Sequence, residues 1–303
     1  MARNPETSTL STTAELEVAT QRYSEFRRIV RVFFGRKIAV VGLFFILVLI
    51  FLAIFGPLIA PYDPNKMDLS AGLEQPSHAH LLGTDSLGRD TLSRVIYGSR
   101  TSLLVGISAV GLSAVFGETM GLIAANYGGW VYTVIMRFTD MLMSIPMMLN
   151  AFVIAAVLGG GVKNVIIALA VGGLAGQCRM MCGMAMTIKQ NDYVTAGRSL
   201  GASNVRIMLR HIFPNAFPPL LVMITMSLGM VILSEAALSF LGIGITAPTV
   251  AWGSMINDGY KYLLTNPILS IAPGAAIMMV VFGFNMMGDG LRDSLDPKLR
   301  GTL

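Results

Sequence analysis

Long charge-free apolar stretches, separated by short polar ones, set the plan of this chain. Residues 38–62 and 262–288 contain no Asp, Glu, Lys or Arg. A bilayer span needs about 20 mostly apolar residues, and each charge at its centre adds roughly 2.5 to 3.5 kcal/mol on insertion scales. Six segments meet that requirement: 38–60, 101–126, 130–158, 165–187, 217–245 and 268–287. The pattern predicts an all-α integral membrane protein with six transmembrane helices. Pro146 lies inside the third segment and predicts a bend there, because its missing N–H must be compensated by neighbours.

One polar island interrupts the apolar pattern, Asn191 to Asn215 between spans four and five. It reads as a helix over 192–200, a break at Gly201 and Ala202, and a second helix with Ser203 as N-cap. In that second helix Val205, Met208, Leu209 and Ile212 follow the i, i+3, i+4, i+7 spacing of one apolar face, and Arg206 and Arg210 line up on another. Pro214 is expected to end it. Such an amphipathic insertion either docks on a partner or lies on anionic headgroups.

Composition agrees with a bilayer environment. Hydrophobic residues make up 54% and charged residues 13% of the 303, against about 25% charged in soluble domains. Basic residues cluster before span one (Arg22, Arg27, Arg28, Arg31, Arg36, Lys37), in the island (Lys189, Arg198, Arg206, Arg210) and at the end (Arg292, Lys298, Arg300). The positive-inside rule places all three regions, and so both termini, in the cytoplasm. The expected organisation is a cytoplasmic tail over 1–37 and a transmembrane domain over 38–303. Within that domain lie an outer loop at 61–99, cytoplasmic helices at 191–214 and a C-terminal tail at 288–303. In the N-terminal tail Phe26, Ile29, Val30 and Phe33 oppose Arg27, Arg28 and Arg31, the pattern of a helix in the headgroup layer; a solvated basic run is the alternative. The first apolar segment is too long for a signal-peptide core and reads as a retained anchor.

The chain shows no phosphate-cradling Gly-rich loop followed by Lys, no nucleophile elbow, and no HExxH or CxxC motif. Catalytic residues and a metal site are therefore not expected. Cys178 and Cys182, four apart on span four, read as small apolar residues, because an i, i+4 disulfide within a helix is geometrically poor. His78 and His80 read as loop histidines. Charges inside spans carry a functional hypothesis by default. Arg137 and Asp140 share a helix face and either neutralise each other or touch a solute path. Glu118, Arg179 and Glu235 each need a partner on another helix or a watery cavity. A proton relay through Glu118, Asp140 and Glu235 would make the chain a secondary carrier, and a membrane scaffold is a third reading.

The island is similar to the cytoplasmic coupling motif of ABC importer permeases, in which an Ala-rich turn leads to a Gly and then to a Pro. Ala196, Gly201 and Pro214 occupy those places, and Thr195, Ala196 and Gly197 replace the usual Glu-Ala-Ala triplet. HLLGTDSLGRDTLSRVIYGSRTSL (80–103), EAALSFLGIG (235–244) with Trp252-Gly253, and FNMMGDGLRDSLDPKLR (284–300) sharpen the match. They resemble the C-type permease subunit of dipeptide, oligopeptide and nickel importers. The resemblance implies a type I ABC importer permease fold in the inner (cytoplasmic) membrane, non-catalytic and binding no cofactor itself. It further implies a B-type permease partner, two cytoplasmic ATPase subunits carrying ATP and Mg, an extracytoplasmic solute-binding protein, and no nucleic acid. Thr195, Ala196, Gly197, Gly201, Ala202, Arg206, Arg210 and Pro214 would contact the ATPase. Dipeptides, longer peptides, nickel chelates and glutathione all remain candidate solutes. The outer loop and residues 246–266 either receive the binding protein or serve packing alone.

Overall fold

The computed structural model describes residues 27–295, so the expectations for 1–26, Phe26 included, and for 296–303 lie outside the described residues. A short helix at 27–35 (α1) leads into α2 (Lys37–Ile59). An irregular segment with one 3-10 turn (Leu69–Ala71) connects α2 to α3 (Thr91–Tyr127). Next come α4 (Gly129–Met143), α5 (Met147–Leu158) and α6 (Val162–Ile188). The island forms α7 (Asp192–Ser199) and α8 (Asn204–Ile207), and a π-helical turn (Met208–Ile212) runs on into α9 (Phe213–Phe240). The last helices are α10 (Trp252–Tyr260) and α11 (Ile268–Leu295). Five helices are long and apolar enough to cross a membrane, and the α4–α5 pair makes six when counted as one span.

Several boundaries differ from the sequence expectation. The third span breaks at Ser144–Pro146 into two helices 85° apart, the effect of Pro146 taken further than a simple bend. Span two begins ten residues early at Thr91, so the irregular outer stretch ends at Asp90 rather than Ser99. The Asp90 carboxylate caps this helix by accepting from Ser93 N at 2.8 Å, satisfying one of the orphan N–H groups of the first turn. Span five stops at Phe240, and 241–245 form a turn. The expected tail from 288 is helical to Leu295, with Gly288, Gly290 and Ser294 buried. Pro214 does not end a helix. It occupies the first turn of α9, where a missing N–H is tolerated, directly after the wider π turn.

Close backbone approaches hold the bundle together. Gly117 and Gly121, one turn apart on α3, meet α6. A Cβ added at Gly121 would lie 2.2 Å from the Cys178 carbonyl oxygen and 2.9 Å from Cys182 N; one at Gly117 would lie 2.7 Å from the Leu174 carbonyl oxygen. This small-xxx-small spacing lets van der Waals packing act where lipid supplies no hydrophobic drive. It also accounts for Cys178 and Cys182, which are buried free thiols in the same seam. A second seam joins α2 to α11, where a Cβ at Gly42 would lie 2.8 Å from the Gly283 carbonyl oxygen. The same side of α2 buries Ile46, Leu49 and Ala53, while Phe44, Leu47, Phe51, Ile54 and Leu58 on its other side are exposed, as expected of a lipid-facing helix.

The end remote from the island is closed by polar contacts. Arg89 is buried and donates to Asp85 at 2.6 Å, with Asp258 of α10 at 3.6 Å. Arg94 donates to the Pro64 carbonyl at 3.1 Å, and His80 meets Asp90 at 2.8 Å. Trp252 of α10 lies against Gly98 and donates its indole N–H to the Val95 carbonyl at 2.9 Å.

Gly121→Val is expected to destabilise the protein by about 1–3 kcal/mol through overpacking, whereas Gly111→Ala, with open space around its Cβ, is expected to be neutral. Thermal unfolding in detergent followed by size-exclusion chromatography checks both.

Candidate functional site

The island is built by local rules that the sequence states openly. Helix α7 closes in a Schellman motif: Gly201 N donates to the Arg198 carbonyl at 2.9 Å, and Ala202 N to that of Gly197 at 3.1 Å. Such a motif needs a left-handed residue at its turn, and Gly201 has φ +79°. Nothing lies within 4 Å of an added Cβ there, so the constraint is backbone strain and not crowding. Ser203 then caps α8, its hydroxyl accepting from Arg206 N at 3.4 Å. Gly197 allows the two helices to approach: its Cβ position is 3.2 Å from Ile207 Cδ1.

The inward face is offset from the stripe that the spacing predicts: Ile207, Met208 and Ile212 are buried, while Val205 and Leu209 of the expected apolar face are exposed. With Val194 of α7, the buried side joins one core cluster containing Leu122, Ala124 and Ala125 of α3 and Cys182, Ala185 and Ile188 of α6. The outward side presents Leu200, 88% exposed, with Tyr193, Val205 and Leu209. Arg198, Arg206 and Arg210 accompany them, and Asp192 is the single acid between 192 and 212. Thr195, Ala196, Gly201 and Pro214 are also exposed, and Ala202 is half-buried.

At the root of the island, Lys189 follows α6 and reaches back to α3. Its Nζ donates to the Ala125 and Asn126 carbonyl oxygens, each at 3.0 Å. Desolvation, with Arg198 adding repulsion, holds its ammonium pKa below the ordinary lysine value.

The intramembrane charges are not gathered into one site. Asp140 of α4 pairs most closely with Arg179 of α6, while Arg137 stands 3.7 Å from the same carboxylate with its side chain 81% exposed. The predicted within-helix pair is thus secondary to a cross-helix pair that spacing along one helix could not show. Glu235 is fully buried and accepts from Ser239 Oγ at 2.8 Å, with Ser102 also beside it; Oε1 of Glu118 has no hydrogen-bond partner among the described residues.

Two cavities share a wall on α9. One of about 310 Å³ lies in the α4–α5 elbow, bounded by Val110, Pro146, Gly173, Gln177, Met223 and Ser227. The other, about 1170 Å³, runs toward the island end past Met184, Pro218, Met226, Asn285 and Arg292. Met223, Ser227 and Met230 line both. Pro218 and Pro219 lack N–H groups, which releases the carbonyls of Pro214 and Asn215 from the helix ladder, and all four residues border the larger cavity. Glu118, Arg137, Asp140 and Glu235 line neither. Sequence reasoning missed this wall because scattered methionines read as gap-fillers; their recurrence at 223, 226 and 230 beside Ser227 was the available signal.

Residues 117–301 match the family of binding-protein-dependent transport system inner membrane components, and residues 24–76 match the N-terminal transmembrane domain of oligopeptide transport permease C. The chain belongs to that inner-membrane component family and is a permease subunit of an ABC importer. It is 40% identical to a dipeptide transport system permease protein, DppC, of Alkalihalophilus pseudofirmus, over 87% of each chain. It is 40% identical to the glutathione transport system permease protein GsiD of Pectobacterium atrosepticum, over 91% of this chain and 92% of that one. The Escherichia coli GsiD is 41% identical over 94% of this chain and 93% of its own. Among solved structures, an inward-facing MetNI methionine ABC transporter matches 67% of this chain and 97% of its own with a TM-score of 0.55 at 19% identity, a shared fold.

Gly201→Ala is expected to cost about 1–2 kcal/mol, the penalty of a Cβ in the left-handed region, while Gly201→Asn, which tolerates that region, costs less. Hydrogen exchange of the α7 amides reads the difference as earlier opening in the Ala variant.

Proposed function

We propose that this chain forms half of the path for a peptide or similar small solute and is driven through the island by ATPase subunits in the cytoplasm. The observation that carries the reading is the two-sidedness of α7 and α8. One face is sealed into the α3–α6–α9 core, while the other leaves Leu200, Val205 and Leu209 exposed beside three arginines. An apolar anchor with a cationic rim fits an apolar groove with acidic edges. A headgroup-lying helix would instead turn its apolar side to the bilayer, whereas here part of that side is buried in protein.

In this reading a nucleotide-dependent groove holds the island differently in its open and closed states, and that difference shifts the permease between inward-facing and outward-facing forms. The chain supplies no nucleotide chemistry of its own; ATP and Mg belong to the ATPase partners. A B-type permease would complete the path, and an extracytoplasmic binding protein would deliver solute to the end built from 60–90 and α10. The basic residues before α2, in the island and near the end of the chain assign all three to the cytoplasmic side by the positive-inside rule.

The α9 wall is the proposed solute surface. Thioethers, one hydroxyl and amides recognise little in particular, and methionine adapts to varied shapes. Arg292 is the one charged residue lining the two cavities. Small peptides fit such a wall, in agreement with the dipeptide and glutathione systems to which the relatives belong. The secondary-carrier reading lacks a comparable observation, because Glu118, Asp140 and Glu235 stay apart from these cavities.

Leu200→Asp combined with Leu209→Asp is expected to reduce ATPase co-purification at least about tenfold, the loss of roughly 1.4 kcal/mol, with membrane insertion unchanged; undiminished co-purification would refute the docking face. Ser227→Trp is expected to abolish solute uptake in proteoliposomes while leaving ATPase association intact. Uptake at the unmodified rate would remove α9 from the path.

A further inference from the structure

We propose that Lys189 is a positioning residue for coupling, a polar strut that makes the root of the island and the end of α3 move as one piece. The inference rests on the docking reading above and adds the route by which a displaced island moves the spans.

Helix α3 ends at Tyr127, and Gly128, with φ +67°, donates its N–H back to the Ala124 carbonyl. The carbonyls of residues 125 and 126 then belong to the terminal set that a helix cannot satisfy internally. Both residues are buried, so these acceptors need a protein donor. Lys189 provides it to both, at 3.0 Å each, and places a cation at the negative end of the α3 dipole. Among the described residues no carboxylate forms an ion pair with Lys189. Its ammonium is committed to these backbone oxygens.

Position along the chain gives this contact its consequence. Lys189 caps α6, its own N–H donating to the Ala185 carbonyl at 2.9 Å, and only Gln190 and Asn191 separate it from α7. Otherwise the island and the end of α3 share one apolar cluster, with Leu122, Ala124 and Ala125 of α3 and Val194, Ile207 and Ile212 of the island among its members. Apolar packing resists separation and has no directional preference, so it permits sliding. Two hydrogen bonds to adjacent carbonyls fix direction. Among the described residues they are the sole hydrogen bonds from the 189–212 segment to α3.

The test uses the assembled importer, with both permeases, ATPase subunits and binding protein, in proteoliposomes, with Lys189→Met and Lys189→Arg compared to the unmodified chain. ATPase co-purification, ATP hydrolysis and uptake of a radiolabelled dipeptide are measured on the same preparations. Lys189→Met is expected to co-purify normally and hydrolyse ATP, with solute moved per ATP lowered about tenfold, in the middle of the usual range of coupling strengths. Lys189→Arg, which keeps a cation and two donors, is expected to recover most of that yield. Full uptake per ATP in Lys189→Met overturns the strut, as does equal failure of the Met and Arg variants. Loss of ATPase co-purification in the Met variant also overturns it, since the residue would then serve only to fold the island. Failure of the ATPase to co-purify with the unmodified chain would instead strike the docking reading itself.

Discussion

The close crossing of α3 and α6 is the constraint on which the remainder of the molecule depends. Gly117 and Gly121 bring the two backbones within contact, with carbonyl and amide groups of 174–182 occupying the space that any side chain would need. In a bilayer this is how helices gain association energy, because lipid tails compete on equal terms with apolar side chains. Once α3 and α6 are joined, α7 hangs directly from the end of α6 and folds back over the end of α3. The position of the island is thus inherited from a seam deep in the membrane domain.

That inheritance divides the island into two faces with different tasks. Ile207, Met208 and Ile212 continue the core of the spans, and Val194 pins α7 to the same cluster. Leu200, Val205 and Leu209 stay exposed among the described residues, beside Arg198, Arg206 and Arg210. In the proposed function this second face is the one that an ATPase subunit covers. The α9 wall, with its methionines and proline-released carbonyls, belongs to a helix whose Ala216 and Leu220 join the same core; in the proposed coupling it changes shape when the α3–α6 unit moves.

Much of this plan was legible in the sequence because the bilayer imposes a strict length and charge rule on spans. The first and fourth spans were located to within about three residues. Ser203 and Gly201 announced their cap and turn, since each role needs that residue type. What escaped depended on contacts between distant segments. Residues 90–97 read as helical but as part of the outer loop, because Arg94 and Arg100 argue against a span; their continuity with span two shows only once Asp85 is seen beside Arg94. The inward face of α8 was misread because spacing alone does not say which of two overlapping apolar stripes meets the rest of the protein, and it is Ile207 rather than Val205 that joins the core. Asp140 was matched to its neighbour Arg137, and its closer partner Arg179 lies on another helix. The cavity wall on α9 was invisible because no single methionine distinguishes a cavity from a packed core.

In the proposed coupling the island and the α3–α6 pair form one rigid piece that moves against the other helices. Spin labels at Ser199 and Tyr127 would span island and α3, and labels at Ser199 and Met278 would span island and α11; pulsed dipolar spectroscopy of the assembled importer, with and without ATP, measures both distances. The account predicts an unchanged island-to-α3 distance together with a shifted island-to-α11 distance on ATP binding. A change in the first distance with the second constant would contradict it.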